Sequence, residues 1–163
     1  MQYSKYQEFM AEMFGTMFIL LFGNGVNAMV SLFNLGGYTN ITFGWGLGVF
    51  LGILVSNRIT GAHLNPAVTL ALVLTKRFPL RKAPLFISAQ MLGGFLGAAL
   101  VYFFYLAKFQ QVDPLLEHSA GIFTTFPAIT NNFMPGFMAE IIASCILMFG
   151  ILAIVENFVN DKA

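Results

Sequence analysis

GAHLNPAVTLALVLTKR, residues Gly61 to Arg77, decides how this chain folds. An asparagine and a proline open an apolar stretch, Pro66 to Leu74, which stops at Lys76-Arg77-Phe78-Pro79. Helix of that length rises only about 15 Å, half of a hydrocarbon core of about 30 Å. Asn65 is suited to cap such a helix, because its side-chain oxygen accepts a free backbone N–H of the first turn, and Pro66 at the first helical position needs no partner for a donor it lacks. Gly61 permits the tight backbone ahead of it.

The surrounding chain is a membrane chain. Of its 163 residues 58% are hydrophobic and 9% charged, too little polar surface to cover a soluble core. Apolar runs at 9–33, 41–57, 84–107 and 136–156 are read as four spans, so the fold class is all-α integral membrane, a single domain over residues 1–163. Glu12 interrupts the first run and no small-residue cleavage site follows, which marks a retained span rather than a secretory signal. With the N-terminus cytoplasmic, Lys5, Arg58, Lys76, Arg77, Arg81, Lys82 and Lys162 lie inside and Lys108 alone outside.

Arg58 and the Lys76–Lys82 cluster then share one side, so residues 58–76 enter the membrane and return as a re-entrant half-helix. Irregular backbone at 59–64 would strand polar groups at depth unless it lines water or packs in protein. In this reading the positive end of the half-helix faces the bilayer centre, the Asn65 amide donates to a passing oxygen and the preceding carbonyls accept from it; neutral hydrogen-bonding solutes are served and cations opposed. The other arrangement is an amphipathic hairpin lying on the headgroups, although Pro66 to Leu74 offers no clear polar face.

Phe9-Met10-Ala11-Glu12 recurs as Phe137-Met138-Ala139-Glu140, with Gly15-Thr16 meeting Ala143-Ser144 at the same offset. Three spans separate the copies, so the second enters from the opposite face, as in an inverted-topology repeat. A second copy of Asn65 at that offset would fall beyond Ala163, so the expectation is one full repeat and the opening helix of another.

The remaining features are ordinary. Residues 108–135 form an external loop with the turn formers Asp113-Pro114, Gly121, Pro127 and Asn131-Asn132. Asp113, Glu117 and His118 read as a solvated loop rather than a metal site, and Asn40-Ile41-Thr42 fits either a glycosylation acceptor or a turn. Cys145 is the sole cysteine, no catalytic set is visible, and neither an enzyme, a metal nor a cofactor is implied. A net charge of +1 without a basic run excludes nucleic acid as a partner class. Gly44, Gly48 and Gly52, and Gly93 with Gly97, are stripes for close helix packing, and Gln90 is read as bonding the loop.

Gly61-Ala62-His63-Leu64-Asn65-Pro66-Ala67-Val68-Thr69 resembles the first signature loop of the major intrinsic protein (aquaporin) family, over about residues 8–156. Trp45-Gly46-Leu47-Gly48, Ala99-Leu100-Val101-Tyr102 and Gly121-Ile122-Phe123-Thr124-Thr125-Phe126-Pro127 resemble its glycerol facilitator branch. The resemblance implies a passive channel for glycerol, small polyols and water, excluding ions and protons. It also implies an aquaporin-like bundle in the plasma membrane, assembled as a homotetramer. By the motif Asn65-Pro66-Ala67, Asn65 would donate at the pore centre while the carbonyls of Gly61, Ala62 and His63 line the path. Trp45 would form the aromatic wall of the outer constriction; on position alone it fits an interfacial anchor equally well. Glu12 and Glu140 are either dipole-favoured residues at helix starts or carboxylates that hold loop backbone. The family's second half-helix, with its own Asn and an Arg, has no counterpart here, so the expected fold is truncated and the alternative function is a non-conducting fragment that needs the missing repeat.

Overall fold

A computed structural model describes residues 3–127, 129 and 132–154; Lys162, Asn131 and the last two residues of the fourth expected span lie outside it. Two compact units divide the chain, Met1–Thr125 and Phe126–Ala163. In the first, α1 (Lys5–Phe33), α2 (Tyr38–Thr60), the stub α3 (Pro66–Leu74), α4 (Ala83–Phe104) and α5 (Leu106–Val112) follow one another, with 3₁₀ turns at Leu80–Lys82 and Ser119–Ile122. In the second, α6 runs Met134–Ile154. Among the described residues four helical segments, Lys5–Phe33, Tyr38–Thr60, Leu80–Phe104 and Met134–Ile154, are long and apolar enough to cross a membrane.

The helices start and stop where side chains satisfy their ends. Ser4 and Gln7 form a capping box at the head of α1, and Asn132 Oδ1 accepts from the Met134 N–H at that of α6. Asn40 belongs to the first turn of α2, where its Oδ1 accepts from the Gly37 N–H. α1 and α2 each extend a few residues beyond the apolar runs, because capping chemistry rather than hydropathy sets a helix end. The third span closes at Phe104 and the chain restarts as the short α5, so the expected boundary at 107 falls inside a second helix.

Central to the first unit is α1, packed by α2 on one side and α4 on the other. Missing side chains make both seams. A Cβ on Gly52 would sit 2.7 Å from the Gly15 carbonyl oxygen, and one on Gly93 would sit 2.1 Å from that of Met13. Gly48 and Gly97 likewise meet α1 backbone within about 3 Å of where a Cβ would be, so four of the five expected stripe glycines are backbone contacts, while Gly44 makes room for the Val26 side chain. Further out, Ala28 and Leu32 of α1, Val101 of α4, Phe109 of α5 and Ile122 form an apolar cluster that seats the external segment.

The Asp113 carboxylate organises that segment, accepting from the backbone N–H groups of Glu117, His118 and Ser119 at 3.1, 2.8 and 2.6 Å. Partial burial pushes its pKa up, but these donors outweigh burial and hold it below the ordinary value. Among the described residues no group of three or more His, Cys, Asp or Glu side chains is placed to hold a metal ion.

Candidate functional site: the loop ahead of the half-helix

α3 is nine residues long, with Asn65 as its N-cap. The Asn65 Oδ1 accepts from the Ala67 N–H at 2.8 Å, and its carbonyl accepts from the Thr69 N–H at 3.0 Å. At the other end the chain reverses through a Schellman motif: Lys76, at φ 59°, donates to the Val73 carbonyl and Arg77 donates to that of Leu72. Lysine therefore occupies the left-handed position that glycine usually fills, besides complementing the negative end of the stub. Pro79 and the turn Leu80–Lys82 lead back into α4.

The four residues between α2 and Asn65 are unusual backbone. Gly61, Ala62 and Leu64 all have positive φ, at 82°, 55° and 52°. For alanine and leucine this conformation costs about 1–3 kcal/mol each, so the surroundings must enforce it. They do so through Glu12 of α1, which is fully buried. One carboxylate oxygen accepts from the His63 N–H at 3.1 Å, and the other accepts from the Leu64 N–H and from Gln90 Nε2, each at 2.8 Å. Thr16, one helical turn beyond Glu12, donates to the Leu64 carbonyl at 3.4 Å. The Leu64 side chain fills the gap between Gly15 and Gly52, where a Cβ on Gly15 would lie 2.4 Å from it. The head of α3 is thus seated inside the bundle, not on its surface as a hairpin on the headgroups would be.

Glu12 lies eight residues into α1 and Glu140 seven into α6. A dipole effect fades within the first turn, so the helix-start explanation fails for both. Glu140 belongs to the second unit, where its side chain is exposed and accepts no hydrogen bond from a described residue.

The His63 ring packs into a core of Phe78 and Phe86, with ring centroids 4.5 and 4.9 Å away. Its Nδ1 lies 3.1 Å from the Thr69 Oγ1. That hydroxyl has a single proton and stands 3.2 Å from the Asn65 carbonyl, and it also receives Gln90 Nε2 at 3.0 Å. With the proton given to Asn65, hydrogen counting makes His63 Nδ1 the donor. Thr69 is the hub of this network and Thr16 its outer brace. Neither role emerged from the sequence, where both residues appear only within longer motifs, although Thr16 stands four residues after Glu12 and Thr69 four after Asn65, the spacing that places side chains on one helix face.

With the loop so held, a set of polar groups is left over. Among the described residues the carbonyls of Gly61, Ala62 and His63 accept from no protein donor, and Asn65 Nδ2 donates to no protein acceptor. Gly61 is exposed, and Ala62 and Asn65 are half-buried. Trp45, half-buried on α2, lies flat on α1: a Cβ on Gly23 would come within 2.3 Å of the indole. Its Nε1–H donates to Asn27 Oδ1 at 3.4 Å.

A strained loop, braced by a buried carboxylate in front of an Asn-capped stub, is the arrangement with which the comparison with known proteins begins. The family model described as major intrinsic protein matches residues 1–162. The chain belongs to the major intrinsic protein family. It is 40% identical over 153 residues to a glycerol uptake facilitator protein of Bacillus subtilis (strain 168), covering 91% of this chain and 55% of that one. It is 38% identical over 157 residues to a probable glycerol uptake facilitator protein of Thermotoga maritima, covering 94% and 66%. The X-ray structure of the aquaglyceroporin from Plasmodium falciparum superposes with a TM-score of 0.61 at 36% identity, over 69% of this chain and 48% of that chain. This member of the family is a multi-pass membrane protein that spans a little over half the length of the Bacillus relative.

Proposed function

We propose that the chain contributes the conducting path of a passive channel for glycerol and similar small neutral solutes, with water, in the plasma membrane. The observation that carries this reading is the row of unpaired groups at the mouth of α3: three consecutive carbonyls, Gly61 to His63, followed by the Asn65 amide. A polyol presents hydroxyls that both donate and accept, so such a row replaces its hydration without chemistry and without a coupling ion. The positive end of α3 stands at the same place and opposes cations, protons included. Trp45 supplies an apolar wall along which the carbon side of a polyol slides, while Glu12 holds the backbone in the conformation that presents the carbonyls. Glu140 is assigned the corresponding role in the inverted copy that α6 opens. The N-terminus is cytoplasmic by the distribution of lysine and arginine, and the working assembly is a homotetramer, by analogy with the family.

Stopped-flow light scattering of liposomes carrying the chain tests this. Glycerol-driven reswelling faster than in empty liposomes, and slowed by Asn65→Leu, is the expected result; equal rates in loaded and empty liposomes overturn the reading.

A further inference from the structure

Asn27 is a polar residue on the α1 face that meets Trp45, and it does two things at once. Its Oδ1 accepts from the Trp45 Nε1–H, and its Nδ2 donates to the Ile122 carbonyl, both at 3.4 Å. Ile122 ends the 3₁₀ turn Ser119–Ile122 and is buried in the cluster that seats the external segment. One carboxamide therefore bridges an aromatic ring on α2, its own helix α1 and a loop 95 residues away. Gly23, one helical turn earlier, completes the arrangement by leaving no Cβ under the ring. A planar amide is well matched to this task, since it offers an acceptor and a donor on separate arms of one rigid plane and neither partner can exchange roles: an indole N–H only donates and a carbonyl only accepts.

From this geometry we propose that Asn27 is the positioning residue for Trp45. It fixes the indole flat against Gly23 and ties the ring's attitude to the external segment, so that the size of solute the constriction passes depends on a residue that does not itself line the path. The proposal rests on the reading of Trp45 as a constriction wall, but its first test does not.

Trp45 is the only tryptophan, so every indole signal belongs to it. In the unaltered chain the indole N–H vibrational band should lie at its hydrogen-bonded frequency. In Asn27→Leu that band moves to the free N–H position, the near-UV circular dichroism of the ring weakens, and the unpinned indole population rises about fivefold, the loss expected of one ordinary hydrogen bond. Asn27→Asp, which keeps an acceptor for the ring, retains the bonded band; this guards against a variant that merely misfolds. In liposomes the glycerol-to-erythritol permeability ratio falls in Asn27→Leu, and Asn27→Asp, which keeps the bond to the ring but has no donor for the Ile122 carbonyl, recovers only the part that the ring bond supplies. A free N–H band in the unaltered chain, or identical bands in it and Asn27→Leu, overturns the pinning. A changed band with an unchanged permeability ratio overturns the link to selectivity. Liposomes of the unaltered chain that pass no glycerol overturn the channel reading of the preceding section, while the vibrational band still decides whether Asn27 holds the ring.

Discussion

Replacing Glu12 by glutamine should release the loop that carries the candidate path. The carboxylate accepts from three N–H donors, on His63, Leu64 and Gln90. Hydrogen bonds to a charged group contribute about 1.5–3 kcal/mol each, so the two that come from the loop, at His63 and Leu64, hold roughly 3–6 kcal/mol against the backbone cost at Ala62 and Leu64. That cost is about 2–6 kcal/mol for the pair. The margin is narrow. Glutamine keeps one acceptor oxygen and turns an NH₂ group toward the remaining donor, which leaves a buried N–H unsatisfied, and the surviving bonds lose their charge assistance. A net loss of about 3–4 kcal/mol follows, enough to raise the population of opened loop by two to three orders of magnitude at about 1.4 kcal/mol per tenfold. Hydrogen–deuterium exchange of the chain in lipid nanodiscs reads this directly. The His63 and Leu64 amides should exchange at least about a hundredfold faster in Glu12→Gln, with α1 amides near Ala28 unchanged. Exchange at His63 and Leu64 within threefold of the unaltered chain would refute the bracing role of Glu12.

Further expectations concern packing, protonation and the external segment. Gly93→Ala places a Cβ 2.1 Å from the Met13 carbonyl oxygen and should cost about 1–3 kcal/mol, seen as a lower unfolding midpoint in detergent, whereas Gly46→Ala, with open space around it, leaves the midpoint level or higher. The His63 ring should be the Nδ1–H tautomer, read from its ¹⁵N chemical shifts; an Nε2–H tautomer would mean that Thr69 does not donate to Asn65. Asp113 has its pKa lowered in the fold from the ordinary 3.8, so its stabilisation is complete above that value and is lost as the pH falls below it through the folded value. Amide exchange at Glu117, His118 and Ser119, corrected for intrinsic rates, should therefore be flat from neutral pH down to about 4 and accelerate below; Asp113→Ala should show the fast exchange at every pH.

Much of this architecture was legible in the sequence because hydropathy and capping act locally. Asn65-Pro66 announces a helix start by its own chemistry, the run after it is too short to cross, and the glycine stripes mark where backbones touch. The helix boundaries were less legible, since Ser4, Gly37 and Tyr105 end or begin helices through caps and local backbone that hydropathy does not weigh. Least visible were the roles of Thr69, Asn27 and Phe78: a threonine in an apolar helix, an asparagine facing a distant loop and an aromatic in a turn acquire meaning only from partners brought close by the fold. The left-handed backbone at Ala62 and Leu64 was equally hidden, because neither residue type favours it and partners distant in sequence, Glu12 and Thr16, hold the loop in it.

The central claim is that water and small polyols reach the carbonyls between α2 and α3. It is tested most directly by placing a thiol there, as Ala62→Cys in a chain whose exposed Cys145 is changed to alanine, reconstituted in liposomes. A small, charged, membrane-impermeant thiol reagent should modify that cysteine, and glycerol should slow the modification in a concentration-dependent way while a bulky sugar alcohol that cannot enter does not. A thiol that reacts only with lipid-soluble reagents, unaffected by glycerol, would contradict the account.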